Sequence, residues 1–84
     1  MAELIAARRY EVRGRVQGVG FRNFTQHVAY KLGVTGWVWN VDDGSVAAVA
    51  QGTPDALGQF ELALRKGPAW AEVKTVQWKD EPLF

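Results

Sequence analysis

Gly14-Arg15-Val16-Gln17-Gly18-Val19-Gly20-Phe21-Arg22 joins a strand pattern to a helix pattern through a turn that holds two glycines. Upstream, Tyr10, Val12, Gly14 and Val16 alternate with Arg9, Glu11, Arg13 and Arg15, the period-two signature of a half-buried strand over residues 8–16. Downstream, from Arg22 to Leu32, the period changes: Phe21, Phe24, Val28 and Leu32 fall at helical spacing, and Gly33 suits a left-handed stop. The join is also chemistry. Glycines let backbone N–H groups converge without Cβ clashes, and a helix start leaves its first N–H groups unpaired and partly positive. A phosphate-sized oxyanion fits such a nest, and an arginine beside it adds planar, bidentate contacts.

Working outward, Gly36-Trp37-Val38-Trp39-Asn40-Val41 is rich in strand formers, and Asp43-Gly44 follows as a hairpin turn signal. Ser45 to Gln51 gives the returning strand. Thr53 and Pro54 open a second helix, one as cap and the other where a missing N–H costs nothing. Leu57, Phe60 and Leu64 form its core stripe, Gly58 weakens it by about 1 kcal/mol relative to alanine, and Gly67-Pro68 ends it. Glu72 to Trp78 is the last clear strand. Val73 and Val76 lie on opposite phases there, which a bulge or a frayed start reconciles. The order is β-α-β-β-α-β, with an extra strand expected at Leu83-Phe84. Connections this short favour an α+β, ferredoxin-like sandwich: a four- to five-stranded, mainly antiparallel sheet with both helices on one face.

Composition bounds the rest. At 84 residues, 48% hydrophobic and 23% charged, the chain is expected to form one small domain over residues 1–84 with a single core. No apolar run approaches the roughly 20 residues needed to cross a bilayer. The start, from Met1 through Glu3 to Arg9, lacks a basic lead and does not read as a signal peptide. There is no cysteine, which removes disulfides, thiolate catalysis and cysteine metal sites and suits a reducing cytoplasm. The net charge of +1 hides an asymmetry, because residues 1–40 hold six Lys/Arg against Glu3 and Glu11 while residues 41–84 hold four against seven. Anions are thus drawn toward the loop, whereas the overall balance is too neutral for a general nucleic-acid binder.

Arg22 places a cation in a first helical turn, where the helix dipole disfavours it. Directly after a glycine loop, that mismatch points to anion binding. Asn40, taken alone, reads first as turn chemistry, since asparagine commonly stabilises loops. Asp42 and Asp43 are read as shaping the turn rather than as a catalytic pair. His27, the single histidine, is read as a helix-surface residue and not a metal ligand. Ser45 has no visible Ser-His-Asp partners. Trp37 and Trp39 share one strand face, Trp78 is expected to be partly core, and Trp70 lies in a loop.

Taken together, Val12 to Arg22 resembles the first signature of the acylphosphatase family, fully matched, and Asn40, Gly44, Val46 and Gly52 within Gly36–Gly52 resemble the second. The likeness covers nearly the whole chain. Ala47 stands where many relatives carry an acidic or polar residue, and Trp39 where a basic or polar one is frequent. The resemblance implies hydrolysis of the carboxyl–phosphate bond of acyl phosphates to carboxylate and inorganic phosphate, with no metal, cofactor or phosphoenzyme. It implies that Arg22 and the backbone amides of Gln17, Gly18, Val19, Gly20, Phe21 and Arg22 bind phosphate and that Asn40 orients the attacking water. Expected partners are a small acyl phosphate and inorganic phosphate, the latter as product and competitive inhibitor, with no nucleic acid or membrane and a monomeric state. Two rivals differ in class. One is a single-stranded nucleic-acid module stacking bases on Trp37 and Trp39, faintly echoed by Gly18-Val19-Gly20-Phe21. The other is a phosphate-sensing or carbamoyl-phosphate-handling domain of a longer enzyme.

Overall fold

The computed structural model describes residues 4–84; Met1 to Glu3, and with them part of the leader reading, lie outside it. Among the described residues four strands and two helices follow one another as β1 (Ala6–Arg15), α1 (Phe21–Leu32), β2 (Thr35–Asn40), β3 (Val46–Gly52), α2 (Pro54–Lys66) and β4 (Glu72–Glu81). The sheet order is β2-β3-β1-β4 with every pair antiparallel, the ferredoxin-like plan.

Alternation in β1 does what its pattern requires. Tyr10 and Val12 of β1, and Val16 directly after it, are buried, and they meet Val46, Ala48 and Ala50 of β3, Val76 of β4, Phe21 of α1, and Leu57, Phe60 and Leu64 of α2. Tyr10 packs edge-on against Phe60 with centroids 5.2 Å apart, and its hydroxyl donates to the Leu57 carbonyl at 3.3 Å. Burying a phenol with that partner avoids an orphaned hydroxyl. In α1 the stripe is less apolar than its period suggests. Thr25 is buried beside Phe21, and its hydroxyl bonds back to the Phe21 carbonyl at 2.8 Å.

The phase conflict in β4 is a bulge. Arg13 pairs with Thr75 but Gly14 pairs with Val73, so Lys74 is the extra residue. Gly14 has φ 130°, and a Cβ there would collide with the Glu72 carbonyl, so glycine is what lets the strands close at this point. α2 starts as its sequence promised: Thr53 Oγ1 accepts from Ala56 N at 3.1 Å and Pro54 takes the first helical position.

The expected strand at Leu83-Phe84 does not form. Pro82 removes a ladder donor, and Phe84 instead bonds the side chain of Gln51, donating to Oε1 at 2.9 Å and accepting from Nε2 at 3.2 Å. This lays Phe84 against Trp37, with ring centroids 5.0 Å apart. Arg9 covers Trp39 at 5.2 Å and Arg8 covers Trp78 at 4.0 Å. The two tryptophans of β2 thus already have partners on the open sheet face. Trp78, expected to be partly core, is instead exposed and lies outside the core cluster, covered on one side by Arg8, while Trp70 and His27 are exposed as expected. No helix among the described residues is long and apolar enough to cross a membrane.

Candidate active site

Between β1 and α1 the chain turns through Gly18 at φ 74° and Gly20 at φ 79°. Both are in the left-handed region that costs an ordinary L-residue about 1 kcal/mol or more. Gly20 occupies the cap position of α1, and no side chain caps that end. The contrast with α2 is instructive. There Thr53 supplies an oxygen to the first amides and Asp55 adds a negative charge in the first turn, whereas the first turn of α1 holds no acidic residue. Amides at the start of α1 therefore remain open to an external anion.

These amides border a small cavity of about 110 Å³ lined by Val16, Gly18, Gly20, Phe21, Arg22, Asn23 and Asn40. Its floor is apolar, since Val16 and Phe21 are each 1% exposed, and its walls are polar. Arg22 is the one charged side chain in the lining, and among the described residues no carboxylate pairs with it. The cavity thus offers uncompensated positive charge, oriented N–H groups and carboxamides on a dry base. That combination has the charge and donor geometry that suit a compact oxyanion. Two larger grooves lie elsewhere, one of about 420 Å³ between α1 and β2 and one of about 600 Å³ under residues 81–84. Neither is lined by Arg22 or by the glycine turn, so volume is a poor guide here and charge is the better one.

Of the residues expected to act together, Arg22, Asn40, Gly18, Gly20 and Phe21 all line the cavity. Gln17 and Val19 belong to the same turn but are not in the lining. Asn40 arrives from a different strand: it pairs with Val46, which pairs with Val12, so the sheet register carries it to the helix-facing end of β1 where the turn begins. Asn23 was not anticipated. Its position one residue after Arg22, still in the first turn of α1, was the available signal.

The turn that follows Asn40 is held from several sides. Val41 N donates to Ser45 O at 2.9 Å and Gly44 N to Val41 O at 3.0 Å. Asp43 Oδ1 accepts from the Ser45 hydroxyl at 2.6 Å and from the Ser45 amide at 2.9 Å, while Arg13 Nη2 donates to Asp43 Oδ2 at 3.0 Å. From the loop, Gln17 Nε2 donates to Val41 O at 2.7 Å and to Ser45 O at 2.9 Å. Asp43 thus shapes the turn, as its sequence position implied. The Ser45 hydroxyl above all, then the Ser45 amide, and also Arg13, hold its carboxyl at about 2. A depressed folded-state value means that this stabilisation is complete above the ordinary carboxylate range and is lost as pH falls toward about 2. Comparing Tm of the wild type and Asp43→Asn is expected to show a gap near neutral pH that narrows steadily between about pH 4 and pH 2. A constant gap would mean that the carboxylate charge is idle.

Comparison with known proteins places this site in context. The family model described as Acylphosphatase matches residues 8–83. A curated acylphosphatase of Solibacter usitatus is 48% identical over 77 residues, covering 92% of this chain and 80% of its own length. One from Nitratidesulfovibrio vulgaris is 51% identical over 75 residues, covering 89% and 75%. Among solved structures, an acylphosphatase from Coxiella burnetii superposes with a TM-score of 0.91 at 35% identity, covering 95% of this chain and 84% of that one.

Proposed function

This chain belongs to the acylphosphatase family and is a hydrolase, and from that premise we propose that it cleaves the carboxyl–phosphate bond of acyl phosphates at the cavity shared by the 17–22 turn and Asn40. The observation that carries the reading is the meeting of Gly18, Gly20, Arg22 and Asn40 in one lining, although Asn40 is far from the turn in sequence. In this reading the amides of Gln17 to Arg22 and the Arg22 guanidinium take the phosphoryl oxygens, and the Asn40 carboxamide holds a water on the far side of phosphorus. The water oxygen forms a bond to phosphorus as the bond to the acyl oxygen breaks. The carboxylate departs with its electron pair, and a phosphate oxygen takes the water's proton.

So spare a site suffices because of the leaving group. A carboxylic acid has a pKa of about 4, so the carboxylate leaves without being protonated and no general acid is needed. Phosphoryl transfer then demands positioning and stabilisation of charge on the equatorial oxygens. Guanidinium and amides serve the second need and a carboxamide the first. The donor set contains no carboxylate or imidazole, which suits a metal-independent reaction. We further propose one domain over residues 1–84 acting as a monomer in the cytoplasm, with inorganic phosphate, which fits the same cradle, as product and competitive inhibitor.

Benzoyl phosphate is the direct test. Purified protein is expected to hydrolyse it at an undiminished rate in excess EDTA, with inorganic phosphate raising KM and leaving kcat unchanged. Turnover abolished by EDTA and restored by a divalent ion would replace this mechanism with a metal-assisted one.

A further inference from the structure

The Gln17 side chain is used twice, and both uses reach across the site. Its Nε2 donates to the Val41 carbonyl at 2.7 Å and to the Ser45 carbonyl at 2.9 Å, the two ends of the turn that begins directly after Asn40. Among the described residues, no other side-chain hydrogen bond joins the 17–22 turn to residues 41–45. Arg13 also holds that turn, through Asp43, but it does so from β1 and leaves the glycine turn free. Gln17 is half-buried, so its two bonds are shielded from competing water.

From this geometry we infer that the Gln17 side chain is a positioning residue, fixing the separation and angle between the cradle that holds phosphorus and the Asn40 carboxamide that holds water. The inference rests on the reading of Asn40 given above. Its chemistry is specific. A carboxamide presents two N–H donors from one nitrogen, enough for both carbonyls, whereas an ionised glutamate presents none and would repel both oxygens. Methionine matches the length of glutamine and donates nothing. Because the cradle amides and Arg22 stay in place without this side chain, phosphate binding survives its loss, while the in-line placement of water does not. A displacement of about 1 Å from the productive geometry costs about a hundredfold in rate.

The test measures kcat, KM for benzoyl phosphate, Ki for inorganic phosphate and Tm for Gln17→Met and Gln17→Glu, each alone and combined with Asn40→Ala. Gln17→Met is expected to lose about tenfold to a hundredfold in kcat with KM and Ki nearly unchanged. In the Asn40→Ala background it should cost almost nothing more, because the group it positions is gone. Gln17→Glu should lose as much at neutral pH. Relative to wild type it should recover as pH falls through the usual glutamate range near 4, where the protonated carboxyl regains one donor. Wild-type kcat in Gln17→Met, losses that multiply with Asn40→Ala, a Ki that rises in step with the loss of kcat, or no acid recovery in Gln17→Glu would each overturn the inference. If Asn40→Ala alone kept wild-type kcat, the water-positioning reading would fall and this inference with it, an outcome distinct from a failure confined to Gln17.

Discussion

Arg22→Ala is expected to lose at least about a thousandfold in kcat/KM, the lower end of what a phosphoryl-stabilising arginine contributes, and to stop responding to inorganic phosphate. At about 1.4 kcal/mol per factor of ten, that is about 4 kcal/mol of transition-state stabilisation. The size follows from the lining: Arg22 is the one charged side chain there, so no neighbour substitutes for it. The fold should survive, because Arg22 is exposed and lies outside the core cluster. Arg22→Lys separates charge from shape. A lysine restores the positive charge, but as a point charge on a flexible stem it cannot reproduce two parallel N–H donors. We expect it to remain down by about a hundredfold, the loss typical of one misplaced oxyanion donor. Steady-state kinetics with benzoyl phosphate, together with phosphate inhibition and Tm, check both variants. A lysine variant near wild type would show that net charge alone matters and that the bidentate fork does not.

The reason this part of the site was legible before the fold is that its physics is local. Gly18, Gly20 and Arg22 sit within five residues, and each conveys its backbone or charge requirement without reference to the rest of the chain. The same holds for Thr53 and Pro54 at the start of α2, and for the alternation of β1 through Tyr10 and Val12. Asn40 is different. As a lone residue it fits turn chemistry, and only the register Asn40–Val46–Val12 brings it to the cradle. The resemblance to a family supplied what spacing could not. Gln17 was readable only as a loop amide, since the targets of its side chain are carbonyls 24 and 28 residues away, and backbone oxygens carry no sequence signature.

The misplacements have equally physical causes. Leu83-Phe84 resembles a strand because both residues are large and apolar, but Pro82 removes a donor and the Gln51 carboxamide offers Phe84 a competing pair of bonds. The bulge in β4 was detectable as a phase conflict between Val73 and Val76. Its location was set by Gly14, on the neighbouring strand.

For Asn40→Ala the expected signature is the reverse of a binding defect: kcat falls by about a hundredfold to a thousandfold, the range for removing one preorganised polar group, while KM for benzoyl phosphate and Ki for phosphate hold near wild type. The split follows from where each interaction is made. In the proposed mechanism the amides and Arg22 grip the phosphoryl group in both ground and transition states, so substrate affinity should persist without the carboxamide. The water is needed only as the bond to phosphorus forms, so its loss appears in kcat. Stability should change little, because Asn40 is exposed at the end of β2. Asn40→Asp sharpens the test. A carboxylate is nearly isosteric and accepts a hydrogen bond from water, yet it sets a negative charge on the wall that faces an anionic substrate, so KM should rise as well as kcat fall. If Asn40→Ala instead raised KM alone, the carboxamide would be a phosphate ligand, and the task of aligning water would pass to Asn23, the remaining polar side chain of the lining.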